Sequence, residues 1–213
     1  MEFIAEVIQN YSEIHTAPES ELLKKLDRET NLKVSQPRML SGHLQGRILS
    51  FLSKLVQPEF ILEIGTYTGY SALCLAEGLK PNGKLTTIDP NEETNLFAKK
   101  YFDSSNYAKQ IELVKGQALD IIPKIDKAID LVFIDADKKN YLNYYKAVID
   151  KVRSGGIIIV DNVLWSGKVV EDISKMDAET KLIHEFNEFV SKDERVENLL
   201  LPVRDGLMLL RKK

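Results

Sequence analysis

The feature that most constrains this chain is a change of rhythm at Phe60. From there, short apolar runs alternate with amphipathic stretches. The runs are Phe60–Ile64, Lys84–Ile88, Ile111–Lys115, Ile129–Ile134 and Gly156–Val160, and helical segments fall between them near 69–79, 91–103, 117–124 and 140–152. Runs that are apolar on both faces suit strands of a parallel sheet covered by helices on each side. Strand alternating with helix is the pattern of βαβ units. After Asp161 come a loop, a helix near 177–191, and two more strands at about 196–202 and 206–211. Only Asp205-Gly206 and its neighbours separate those strands, so they are expected to pair as an antiparallel hairpin. The expected fold is α/β: a seven-stranded, mostly parallel sheet with an antiparallel C-terminal hairpin and helices on both faces.

The residues before Phe60 are expected to be helical. Thr16 and Glu19 have capping-box spacing with Pro18 in the first turn, and Leu22, Leu23 and Leu26 form one stripe behind them. Pro37 breaks that pattern, and a second helix at about 41–56 carries Leu44, Ile48, Leu49, Leu52 and Leu55. The 213 residues hold no internal repeat and no Pro/Gly-rich linker, so residues 1–213 are read as one domain, with 1–56 a helical segment covering the active site. A net charge of −3 argues against a nucleic-acid partner. The single cysteine, Cys74, excludes an internal disulfide and a Cys-rich zinc site, and only three histidines argue against structural zinc. No apolar run approaches the roughly 20 residues of a membrane helix. The acidic start, Met1 to Glu6, lacks the basic opening of a signal peptide, so the expected compartment is the cytoplasm.

In open α/β sheets ligands sit outside the carboxyl ends of the strands, so the residues that follow each strand are the candidates. After the first strand comes Glu63-Ile64-Gly65-Thr66-Tyr67-Thr68-Gly69-Tyr70-Ser71. It is neither G-x-G-x-x-G nor a P-loop, which disfavours pyrophosphate and leaves a smaller anion such as an amino-acid carboxylate, or a plain tight turn. Asp89 ends the second strand, where an acid accepts ribose hydroxyls or else caps the helix starting near Pro90. A glycine loop with such an acid and no diphosphate motif fits S-adenosylmethionine (SAM). The fourth strand ends in Asp135-Ala136-Asp137-Lys138 and the fifth in Asp161-Asn162. Asp135, Asp161 and Asn162 offer three oxygens to one cation, a set that suits Mg²⁺, Mn²⁺ or Ca²⁺ and disfavours zinc. Capping and solvated loop acids are the alternative.

In this order and spacing, these motifs resemble the metal-dependent class I O-methyltransferases, the group of catechol and caffeoyl-CoA O-methyltransferases. The resemblance includes Met39-Leu40-Ser41, Leu62 to Ser71, Ile88-Asp89, Gly116-Gln117-Ala118, Phe133 to Tyr141, Asp161 to Gly167 and Leu201 to Gly206. Asp-Ala-Asp-Lys and Asp-Asn-x-Leu-Trp bring it nearer the caffeoyl-CoA branch. It implies a Rossmann-like class I methyltransferase fold and transfer of a methyl group from SAM to a hydroxyl of a catechol-like or hydroxycinnamoyl molecule. It implies cofactor contacts at Met39, Ser41, Glu63, Gly65, Thr66, Tyr67, Ser71, Asp89, Ala118, Asp135 and Asp137. It implies a divalent cation, Mg²⁺ first, on Asp135, Asp161 and Asn162, and Lys138 as general base with Asp135 beside it. A homodimer is also implied. The competing readings are a methyltransferase for a hydroxylated nucleoside in tRNA, a nicotinamide oxidoreductase, which the missing glycine motif opposes, and a non-catalytic relative, which the intact acids and Lys138 oppose.

Trp165, with the loop Val163–Met176, is expected to form a flap over the acceptor, with Ser166 beside it where plant caffeoyl-CoA enzymes often carry asparagine. Arg38, Lys168 and Arg204 suit either an anionic acceptor or solvent. His43 suits a substrate contact or, more often for a lone histidine, a structural role, and Cys74 reads as core. Tyr141, Tyr144 and Tyr145 suggest packing, within the chain or across a dimer interface.

Overall fold

The structure, a computed structural model, describes residues 4–213; the first half of the acidic start lies outside them. Seven strands form one sheet: β1 (Phe60–Ile64), β2 (Lys84–Asp89), β3 (Ile111–Lys115), β4 (Ile129–Ile134), β5 (Val152–Asp161), β6 (Val196–Leu201) and β7 (Leu207–Lys212). Their order is β3-β2-β1-β4-β5-β7-β6. The first five run parallel, and β7 is antiparallel to both β5 and β6. The hairpin is therefore present, and its second strand is the one inserted against β5.

Among the described residues, eight α-helices accompany the sheet: α1 (Glu6–Ile14), α2 (Glu21–Lys33), α3 (Gly42–Val56), α4 (Tyr70–Ala76), α5 (Glu92–Asp103), α6 (Ala118–Ile121), α7 (Tyr141–Val148) and α8 (Ala178–Ser191). Side chains of β1 alternate between two cores. Phe60, Leu62 and Ile64 join α7 and α8 residues such as Tyr145 and Phe186, whereas Ile61 joins Leu26, Leu49, Leu73 and Phe102 from α2 to α5. Both faces are covered, as continuous apolar strands require.

Three local expectations need correction. Thr16 does not cap α2: its hydroxyl donates to the Ser12 carbonyl at the end of α1, Ser20 accepts the Leu23 N–H, and Glu19 takes the Tyr70 hydroxyl. The segment 117–124 is one α-helical turn followed by a 3₁₀ turn at Ile122–Lys124, because Pro123 cannot continue the ladder. The helix expected to 152 ends at Val148, and β5 begins at Val152, earlier than Gly156. The packing expected of Tyr141, Tyr144 and Tyr145 is present within the chain, where all three are buried.

Candidate active site

The carboxyl ends of the parallel strands open on one cavity of about 980 Å³, bordered by Gly65, Asp89, Gly116, Asp135 and Asp161. These residues follow or end β1 to β5, and the cavity lies at the switch point where β1 and β4 diverge. Ser12 of α1, Met39 and Leu44 contribute from the N-terminal helices.

Gly65 lets the loops after β1 and β4 approach closely. Its φ is +98°, and a Cβ there would lie 1.9 Å from the Asp135 carbonyl oxygen. Only glycine combines that backbone with that approach. The loop is then fastened by Asp89, whose Oδ2 accepts the N–H groups of Thr66 at 3.0 Å and Tyr67 at 3.1 Å. Its Oδ1 takes the Asn91 N–H at 2.8 Å, while Asn91 itself caps α5. A carboxylate has about four acceptor sites, so Asp89 retains capacity for sugar hydroxyls.

Of the residues singled out from the sequence for cofactor, cation or acceptor, all but Glu63 line the cavity. Glu63 lies beneath its floor, fully buried, accepting from Ser71 Oγ at 2.6 Å and Thr87 Oγ1 at 2.5 Å. Burial, reinforced by Asp135 and Asp89, pushes its carboxyl up to about 8 despite those two donors. Its effect on the cavity passes through Ser71. Asp137 is engaged by the Tyr144 hydroxyl and by Asn140 Nδ2 at 2.6 Å.

At the acceptor end, Lys138 Nζ donates to Asn162 Oδ1 at 2.8 Å, to Asp135 Oδ1 at 3.3 Å and to the Tyr141 hydroxyl. That hydroxyl donates in turn to the Asp161 carbonyl at 2.9 Å. The ammonium therefore stands between two of the three expected cation ligands. The third, Asp161, is 3% exposed and receives Gln45 Nε2 at 2.7 Å and its neighbour Asn162 N–H at 2.7 Å. Burial, and then the nearby Asp135 charge, pushes the Asp161 carboxyl well above the ordinary carboxylate range. Arg204 and Lys138 offset part of that rise. Trp165 closes one side, its ring centre 5.8 Å from Lys138 Nζ. The backbone is left-handed at Asn162, Trp165, Ser166 and Gly167, and the Leu164 N–H is tied to the Asp205 carbonyl at 2.9 Å. This anchors the start of the expected flap to the turn between β6 and β7.

Sequence reasoning missed Gln45. The available signal was a polar residue on an apolar stripe, four positions before Leu49 and seven before Leu52. His43 accounts for itself through the Ala17 carbonyl at 2.9 Å, and Cys74 is buried in the core.

The family model described as O-methyltransferase matches residues 12–213. The chain belongs to this O-methyltransferase family. A caffeoyl-CoA O-methyltransferase from Nicotiana tabacum is 36% identical over 208 residues, covering 91% of this chain and 85% of the relative. Among solved structures, the O-methyltransferase TomG from Streptomyces achromogenes, in complex with SAM, superposes with a TM-score of 0.88 at 29% identity, over 97% of this chain and 96% of that one. The Bacillus cereus O-methyltransferase in complex with SAH gives 0.87 at 29% identity, over 97% of each chain. The protein is a SAM-dependent O-methyltransferase with a Rossmann-like fold. Among the described residues, no helix is long and apolar enough to cross a membrane.

Proposed function

We propose that this methyltransferase acts on a small catechol-like or hydroxycinnamoyl acceptor with vicinal hydroxyls, aided by a divalent cation held by Asp135, Asp161 and Asn162. The carrying observation is the Lys138 ammonium bonded to both Asp135 and Asn162 beside the buried carboxylate of Asp161. The donors are all oxygens, and a cationic group already bonds two of them, so the residues fit a hard divalent ion. When bound, such an ion acidifies a hydroxyl and orients the vicinal pair. The curated relative named for caffeoyl-CoA supports a hydroxycinnamoyl acceptor.

The remaining steps belong to the chain. Asp89 receives the ribose hydroxyls while it holds the Thr66–Tyr67 backbone in place. Ser71, set by Glu63 beneath it, meets the amino-acid end of SAM. Lys138 Nζ, held by the Tyr141 hydroxyl, first releases an ammonium proton to solvent and then, as the free amine, takes the acceptor hydroxyl proton. The acceptor oxygen then displaces the sulfonium sulfur in line at the methyl carbon, leaving S-adenosylhomocysteine. Trp165 and Ser166 border the acceptor and limit water. Alignment of this kind is worth about 7–11 kcal/mol.

Asp161→Ala tests the reading. Methyl transfer falls about a thousandfold, equivalent to about 4 kcal/mol of barrier, while SAM affinity by calorimetry stays within a few fold. Unchanged turnover in that variant would remove the cation site.

We also propose a cytoplasmic homodimer. The support for dimerisation is the apolar surface of α1, where Val7, Ile8, Tyr11 and Ile14 are all exposed, together with Phe51 and Leu55 of α3.

A further inference from the structure

Gln45 lies on α3 with no exposed surface, at the junction of three elements. Its Nε2 donates to Asp161 Oδ2 at 2.7 Å, at the end of β5. Its Oε1 accepts from Arg204 Nη1 at 2.9 Å, in the turn between β6 and β7. The same Nη1 donates to the Ser41 carbonyl.

The chemistry of these groups fixes the direction of the chain. A guanidinium only donates, so the amide oxygen of Gln45 must face Arg204. The amide NH₂ must then face Asp161, which is presented with a donor and held as an acceptor. With Asn162 N–H on Oδ1 at 2.7 Å, both carboxylate oxygens are secured and the rotamer is set. Arg204 reaches this position from a left-handed backbone, φ 50°, which a non-glycine residue adopts only where surrounding contacts hold it. A buried amide with both polar atoms engaged and its orientation dictated from one end is a directional element, not only packing.

We propose that Gln45 is a positioning residue for Asp161, oriented by Arg204, and that the Arg204–Gln45–Asp161 relay presets this oxygen ligand for the divalent cation. This rests on the reading of Asp161 as a cation ligand. Outer partners of this kind commonly set metal affinity by 10–100-fold.

The test is Mn²⁺ binding to the SAM-loaded protein, followed by electron paramagnetic resonance, with SAM affinity measured separately by calorimetry. Gln45→Met keeps the volume and removes the amide. It should weaken Mn²⁺ binding about 10–100-fold with SAM affinity within twofold. Gln45→Asn, which keeps an amide on a shorter arm, repeats the measurement should the methionine variant fail to bind SAM. Arg204→Met then separates relay from charge. Removing a positive charge by itself favours a cation, whereas releasing Gln45 opposes it. The substitution should therefore tighten Mn²⁺ binding more in the Gln45→Met background than in wild type, a coupling that independent sites do not show. Equal effects in the two backgrounds, or Mn²⁺ affinity within twofold in both Gln45 variants, would overturn the relay. Parallel loss of Mn²⁺ and SAM would reduce Gln45 to a structural role. A wild-type protein that binds no Mn²⁺ would remove the cation reading, and the relay with it.

Discussion

Asp89 and Glu63 show how single side chains on neighbouring strands take different parts in one site. Asp89 stands at the cavity edge with three backbone N–H groups on its carboxylate. Replacing it with alanine frees the glycine loop and removes the acceptor for sugar hydroxyls. Hydrogen bonds to charged groups are worth about 1.5–3 kcal/mol, so SAM affinity by calorimetry should fall about 10–100-fold. Glu63, fully buried, is pushed up from 4.5 to about 8. The folded state therefore holds its proton over a pH range where the unfolded chain has released it, and stability falls as pH rises from about 4.5 to 8. Glutamine mimics the neutral acid between Ser71 and Thr87. In Glu63→Gln the melting temperature should fall less across that window than in wild type; parallel curves would show that Glu63 is charged in the fold. Motif spacing made the cavity-lining acids legible because each follows a strand. Glu63 was read as a cofactor contact because sequence shows that a residue ends a strand, not which side of the sheet's edge its carboxyl takes.

At the scale of elements, the strand ends decide the site, and the loops after β1 and β4 meet at Gly65. Alanine there would drive a Cβ into the Asp135 backbone at a φ of +98°, so Gly65→Ala should separate the two loops and lower both melting temperature and SAM affinity. Thermal unfolding and calorimetry check this; retention of both would mean that the loops adapt. The parallel strands were legible since continuous apolar runs have few other uses in a chain with no membrane-length segment. The order of the last two strands was not, because a hairpin motif pairs neighbours without saying which of them meets the sheet. The capping residue of α2 was misread for a related reason. Thr16 and Ser20 both offer local caps, and the choice falls to Ser20 once Glu19 is drawn to Tyr70 in the packed fold. Gln45 and Arg204 were equally illegible as a pair, since they are 159 positions apart and only the folded sheet joins them.

For the whole molecule, the cavity joins the residues proposed for SAM and for the acceptor in one continuous space at the sheet's switch point, with residues of the N-terminal helices among its lining. The exposed apolar row on α1 predicts self-association: light scattering should give twice the 24.2 kDa chain mass, and a stable monomer at micromolar concentration would contradict the homodimer. The most direct measurement of the central claim is methyl transfer from labelled SAM to caffeate, caffeoyl-CoA, a simple catechol, a catechol flavonoid and bulk tRNA, each with Mg²⁺ and with EDTA. The account predicts labelling of a vicinal diol that EDTA abolishes and Mg²⁺ restores. Labelling of a diol that EDTA leaves intact, or labelling of tRNA alone, would contradict it.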